Sequence, residues 1–156
     1  MQVAVRRAQE SDAPAILHCL AVAFEPFRSR YTAEGFRDTT LTKETVQGRL
    51  RTMTLLVAVD PAGEVVGTVG GSVQGDEGHI RGMAVLPEWQ GAGVAALLLR
   101  TIETALQVQG CRRVTLDTTA PLERAIAFYE KHGYRASGKV SDFFGMPLYE
   151  YAKELG

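Results

Sequence analysis

A chain of 156 residues is one domain by the length prior, with enough sequence to bury a real core. Its 46% hydrophobic and 22% charged residues are ordinary for a soluble globular protein, and a formal net charge of -1 provides no basic field for nucleic acid or an anionic membrane. No apolar run approaches the roughly 20 residues that span a bilayer, residues Met1 to Arg7 lack a signal-peptide core, and Cys19 and Cys111 make no disulfide framework or metal box, so a cytoplasmic protein without nucleic-acid or membrane partners is expected.

In chain order, Val3-Ala4-Val5 reads as a short first strand. Ser11 is placed to cap a helix that carries Pro14 in its first turn, where a missing N–H costs nothing. Ile16, Leu17, Leu20 and Phe24 follow at helical spacing as one apolar stripe, with His18 off it and solvated. Pro26 stops this helix. From Glu25 to Met53 the pattern is less regular: Phe27, Arg28, Arg30, Tyr31, Phe36 and Arg37 form an aromatic and basic patch, and Thr42 caps a second helix with Val46, Leu50 and Met53 inward. The aromatics admit two readings, a loop seated on the core or the lining of a pocket.

Leu55, Val57 and Val59 alternate as a half-buried strand, and Asp60-Pro61-Ala62-Gly63-Glu64 is a hairpin turn. The partner strand, Val65 to Val73, carries Gly67, Gly70 and Gly71, which weaken a strand unless a bulge or a close approach requires them. After the turn Asp76-Glu77-Gly78, His79 to Val85 is the next strand, ended by Pro87. Gly91 and Gly93 lead into a helix opening at Ala92, with Val94, Leu97, Leu98, Ile102 and Ala105 at helical spacing. Strand, glycine turn and helix leave N–H groups unpaired at a positive helix end, a seat for an anion such as phosphate, although a tight turn asks for the same glycines.

Gln109-Gly110 ends that helix, and Arg113 to Asp117 is a fifth strand. Pro121 opens a helix with Leu122, Ala125, Ile126 and Tyr129 on one face, and Lys131, His132 and Gly133 suit its C-terminal end. Tyr134 to Val140 and Pro147 to Lys153 are two closing strands. The order β-α-α-β-β-β-α-β-α-β-β is a mixed α/β arrangement, and no ligand cluster argues for a metal.

Two stretches carry a family resemblance. Gln90-Gly91-Ala92-Gly93-Val94-Ala95, with Met83-Ala84-Val85-Leu86-Pro87 before it and Leu97-Leu98-Leu99 after it, resembles the Gln/Arg-x-x-Gly-x-Gly/Ala motif of the GNAT superfamily of acetyl-CoA-dependent N-acetyltransferases. Ala125-Ile126-Ala127-Phe128-Tyr129-Glu130-Lys131-His132-Gly133-Tyr134 resembles that family's second motif, in the right order and at the usual separation. The resembling part runs from about Val65 to Ser137. It implies one GNAT-like domain over residues 1–156, α/β (α+β) in class. It implies a mixed, mostly antiparallel central sheet of about seven strands flanked by about four helices. The fourth and fifth strands, His79 to Val85 and Arg113 to Thr118, would splay around the pantetheine arm.

The resemblance implies acetyl-CoA as cosubstrate. Its diphosphate would be held by the backbone of Gln90, Gly91, Ala92, Gly93, Val94 and Ala95, and its pantetheine amides by the backbone around Met83 and Val85. Tyr129 matches the tyrosine that commonly donates a proton to the departing thiolate, a job that suits a phenol with a pKa of about 10. The same ring shares a face with Leu122 and Ile126, so it also fits simple packing on the sheet.

For the base, other members carry a glutamate near the start of the fourth strand, where this chain has His79; histidine, with an ordinary pKa of about 6.5, is competent at neutral pH. By strand alternation His79, Arg81 and Met83 share one face, and Asp76, Glu77 and Asp117 are the other candidates. The family places its acceptor side between the first two strands, which makes Phe27 and Tyr31 candidate substrate-binding residues. The chain departs from the pattern at Leu122, where other members carry an asparagine that touches the cofactor.

Neither cysteine falls at a motif position. Direct attack by a small-molecule or peptide amine in a ternary complex is therefore expected, without a metal. The alternative is a non-catalytic acyl-CoA-binding or sensor domain. Dimers are common in the family, so a homodimer is compatible with the chain.

Overall fold

The apolar runs become seven strands of one sheet: β1 (Ala4–Arg7), β2 (Thr54–Val59), β3 (Val65–Gln74), β4 (Glu77–Val85), β5 (Arg113–Thr118), β6 (Arg135–Phe143) and β7 (Met146–Glu154). The computed structural model describes residues 2–119 and 122–156, so Pro121, expected to open a helix, lies outside them. Strand order is β1-β2-β3-β4-β5-β7-β6, antiparallel throughout except between β4 and β5. Those two run parallel and pair only where Glu77 to Ile80 meets Arg113 to Leu116. Beyond that point β4 stays with β3 and β5 stays with β7, so a gap opens between them. This is the expected splay of the fourth and fifth strands.

Five α-helices flank the sheet: α1 (Ala13–Phe24), α2 (Ala33–Thr40), α3 (Lys43–Thr52), α4 (Val94–Val108) and α5 (Glu123–Lys131). The helix beyond the expected four is α2, formed inside the stretch read as irregular, with Thr32 as its cap accepting from the Gly35 N–H at 3.2 Å. Thr42 caps α3 as expected. Ser11 does not cap α1. It lies in a short 3₁₀ turn, and Asp12 there accepts from the Gln9 N–H at 2.7 Å and pairs with Arg6 at 2.8 Å. No helix of the described residues is long and apolar enough to cross a membrane.

Each face of the sheet has its own apolar cluster. Leu56, Ala58, Val66, Val69, Ile80 and Val85 pack with the Leu98, Ile102 and Leu106 stripe of α4. Leu55, Val57 and Ala84 pack with Ile16, Leu20 and Val46 from α1 and α3. Strand β2 therefore contributes to both clusters and is buried on both faces, not half-buried, because helices cover each side of it. The β3 glycines are explained by close approach: a Cβ at Gly67 or Gly71 would lie 3.0 Å from Leu98 or Ile102 of α4.

Strand β4 contains a bulge. Its register with β3 passes from Gly70↔Arg81 to Thr68↔Ala84, which places one extra residue on β4, and Gly82 there has φ +67°. The bulge overturns the alternation expected for His79, Arg81 and Met83. Met83 packs into the α4-side cluster, whereas Arg81 reaches Asp38 of α2 on the other face.

Candidate active site

The turn before α4 is built by two left-handed glycines, Gly91 at φ +79° and Gly93 at φ +86°, the latter being the N-cap. Only glycine adopts this backbone without strain. The first helical bond runs from the Leu97 N–H to the Gly93 carbonyl at 3.1 Å. Among the described residues, the N–H groups of Gly91, Ala92, Gly93, Val94, Ala95 and Ala96 donate to no protein acceptor, and no acidic side chain stands in the first turn. Gln90 has a different part. Its N–H donates to the Pro87 carbonyl, while its side-chain Nε2 donates to the Val85 carbonyl at 3.0 Å and straps the loop to the end of β4. The result is a concentrated set of free donors at the positive end of a long helix.

The gap between β4 and β5 begins beside this loop. The Leu86 N–H donates to the Val66 carbonyl at 2.9 Å, so residues 84 and 86 aim their peptide groups at β3 and, by alternation, Met83 and Val85 aim theirs across the gap. On the β5 side, Thr118 Oγ1 is the one buried side-chain polar atom without a partner among the described residues. Tyr129 of α5 is 9% exposed, packed edge-on to Phe128 and Tyr134 with ring centroids 5.5 and 5.9 Å away. Burial pushes its pKa up to about 12, and its hydroxyl makes no hydrogen bond among the described residues. The packed ring expected from sequence is therefore present, and among the described residues the O–H has no protein partner.

Across the sheet, His79 Nδ1 lies 2.8 Å from Thr115 Oγ1 and Nε2 lies 3.3 Å from Asp117 Oδ2. Both ring nitrogens are engaged, so in the neutral ring an Nε2–H donates to Asp117 while Nδ1 accepts from the threonine. The group left open to a bound molecule is the Asp117 carboxylate, in a cavity of about 240 Å³ lined also by Glu77, Lys139, Ser141 and Glu150. Glu77 is already paired with Arg113 at 2.6 Å, and Asp76 is exposed in the preceding turn. Asp117 becomes the partner of His79 through the parallel register His79↔Thr115, which nothing local in the sequence reveals.

Tyr31 reaches the end of β5, its hydroxyl 3.4 Å from Thr119 Oγ1 and its ring edge-on to Phe24 and Phe36. Burial raises its pKa. Phe27 is half-buried in the 3₁₀ turn Glu25–Arg30. The neighbouring Thr32 donates to the Phe144 carbonyl at 2.9 Å, which closes this segment onto the β6–β7 turn. Leu122 is the N-cap of α5 and provides no side-chain cap. The free amides at α4, the strand edge at Met83 and Val85, where the Val85 carbonyl is already held by Gln90, and the orphan Thr118 hydroxyl together fit a ligand with a phosphate end and a peptide-like arm. Among the described residues no group of three or more His, Cys, Asp or Glu stands together as metal ligands.

Comparison with known proteins bears on the family and the fold. The family model described as "Acetyltransferase (GNAT) family" matches residues 15–134. The fold is similar to that of the PaiA N-acetyltransferase from Thermoplasma acidophilum in complex with coenzyme A, with a TM-score of 0.82 at 16% identity over 99% of this chain and 100% of that one. It is also similar to an N-acetyltransferase from Rhodopseudomonas palustris, with a TM-score of 0.81 at 22% identity over 99% and 97%. A GNAT-family acetyltransferase from Staphylococcus aureus matches with a TM-score of 0.80 at 16% identity over 99% of both chains.

Proposed function

The chain belongs to the acetyltransferase (GNAT) family, and from that premise we propose that it transfers an acetyl group from acetyl-CoA to a primary amine of a small molecule or of a peptide, by direct attack in a ternary complex. The observation that carries this reading is the run of free amides from Gly91 to Ala96 opening onto an unpaired strand edge. When bound, acetyl-CoA supplies the acetyl group as a thioester whose carbonyl carbon accepts an amine. The amides of Gly91 to Ala96 hold its diphosphate. The backbone of Met83, the Val85 N–H and the Thr118 hydroxyl suit its amide arm.

Transfer forms a C–N bond and breaks a C–S bond, and an acceptor that arrives as an ammonium loses two protons, one before attack and one from the tetrahedral adduct; one of them ends on the departing sulfur as the CoA thiol and the other passes to solvent. The Tyr129 O–H serves the sulfur. With its pKa pushed to about 12 it is a weaker acid than a thiol, so it stabilises the thiolate chiefly as a hydrogen-bond donor. On the other face the Asp117 carboxylate, oriented by His79, takes the proton that the acceptor ammonium loses before attack and passes it to solvent. His79 is thereby a positioning residue within a coupled pair.

The test is release of free CoA across a panel of primary amines. Sustained, amine-dependent release is expected. Tight acetyl-CoA binding by calorimetry with no amine ever provoking release would replace this reading with a binding module.

A further inference from the structure

Helix α3 carries Arg49 to the bulge of β4. A Cβ at Gly82 would stand 2.8 Å from Arg49 Nη1, so the guanidinium lies against the strand backbone at a position without a side chain. This is where β4 has parted from β5, one residue before Met83. Arg81 projects beside it and is bound to Asp38 at 3.2 Å. Arg81 therefore holds the Asp38 carboxylate, and Arg49 has no such partner among the described residues. Among the described residues Arg49 itself makes no hydrogen bond and no ion pair, although it is half-buried. Burial and the like charge of Arg81 lower its pKa to about 10, with Asp38 opposing. A half-buried cation without a counter-ion is costly, and a planar fork of donors matches a carboxylate.

The surroundings decide which molecule brings that carboxylate. Arg81 and His79 share the face of β4 that carries the Asp117 cavity, two positions and so on the order of 7 Å apart. An amine presented to Asp117 stands on the face of β4 that carries Arg81, and Arg49 lies next along the strand, against Gly82. We propose that Arg49, with Arg81 beside it, binds a carboxylate of the acceptor, making the substrate class amines of amino-acid type that carry an anionic group near the reacting nitrogen. The assignment rests on the acetyltransferase reading of the site. The acceptor's carboxylate neutralises the spare charge, and its nitrogen then lies on the Asp117 side.

The experiment compares glycine, phenylalanine and glutamate with their α-carboxamides as acceptors, in the native protein and in Arg49→Gln and Arg49→Lys. The native protein favours the free acids by about tenfold or more in kcat/KM, Arg49→Gln abolishes the preference, and Arg49→Lys keeps part of it. The KM for acetyl-CoA stays unchanged in both variants, which a merely structural role of Arg49 would not predict. Equal use of acids and amides by the native protein overturns the proposal. So does a preference that persists in Arg49→Gln. If no amine is turned over, the transferase reading fails, and the carboxylate site is judged by calorimetry of N-acetylglycine and N-acetylglycinamide with CoA present. Binding of the acid alone, lost in Arg49→Gln, supports the site; equal binding or none overturns it.

Discussion

Tyr129 sits among aromatic rings with its hydroxyl unspent, and burial without a compensating partner is what keeps it protonated. A hydrogen bond to a charged group contributes about 1.5–3 kcal/mol, so Tyr129→Phe should lower kcat by roughly 10- to 100-fold. Calorimetry should show acetyl-CoA affinity nearly unchanged, and equal turnover in the two proteins would remove the role. Because its pKa lies at about 12, Tyr129 contributes no basic limb to the rate profile in the ordinary working range. The proton of the acceptor is the task of the His79–Asp117 pair. His79→Ala and Asp117→Asn should each remove most of the activity, and the double variant should be no worse than the weaker single one. Additive losses would show that the two residues act separately.

At the scale of elements, α4 and its turn are one device. The left-handed N-cap aims six amides outward, and Gln90 ties the turn to β4 so that donors and strand edge keep a fixed relation. Gly93→Ala forces a side chain into φ +86°, at a cost of roughly 1–2 kcal/mol, and turns the amides away from their common focus. The expected result is about tenfold weaker CoA binding together with reduced thermal stability. Gly75→Ala serves as the control, since φ is +64° there too but the residue lies in the β3–β4 turn. It should lower stability and leave CoA affinity alone. If both variants bind CoA alike, the turn is not the phosphate seat. The β4 bulge is a second device: by inserting Gly82 it sends Met83 to the α4 face while His79 and Arg81 remain on the other.

For the molecule as a whole, stability rests on two apolar clusters and a few polar ties between distant elements. Tyr134, fully buried, donates to Glu103 at 2.7 Å, and Lys153 adds a bond to the same carboxylate at 3.0 Å, joining α4 to β7 and the end of α5. Asp12 links the start of α1 to β1 through Arg6, which holds its pKa below the ordinary carboxylate value. A depressed folded pKa contributes stability that is present above the unfolded value of about 3.9 and is lost as pH falls through the folded one. Urea unfolding of Asp12→Asn should therefore show a deficit of about 1 kcal/mol at neutral pH, the Arg6 side being solvent-screened, that shrinks below about pH 4. A deficit that persists at pH 2 would assign the effect to something other than the carboxylate charge.

The stretch from Leu86 to Val108 was readable from the chain alone, because helical periodicity, a proline stop and glycines in a tight turn are properties of neighbouring residues. So was the glycine turn before α4, which consists of local backbone. Tertiary structure alone decided the rest. The parallel register of β4 on β5 sets His79 against residues 36 and 38 positions away, giving it Thr115 and Asp117. The bulge reversed the alternation expected for Met83, and packing of α3 on the sheet brought Arg49 to Gly82. Such pairings depend on which elements become neighbours, and that follows from burying both faces of the sheet at once.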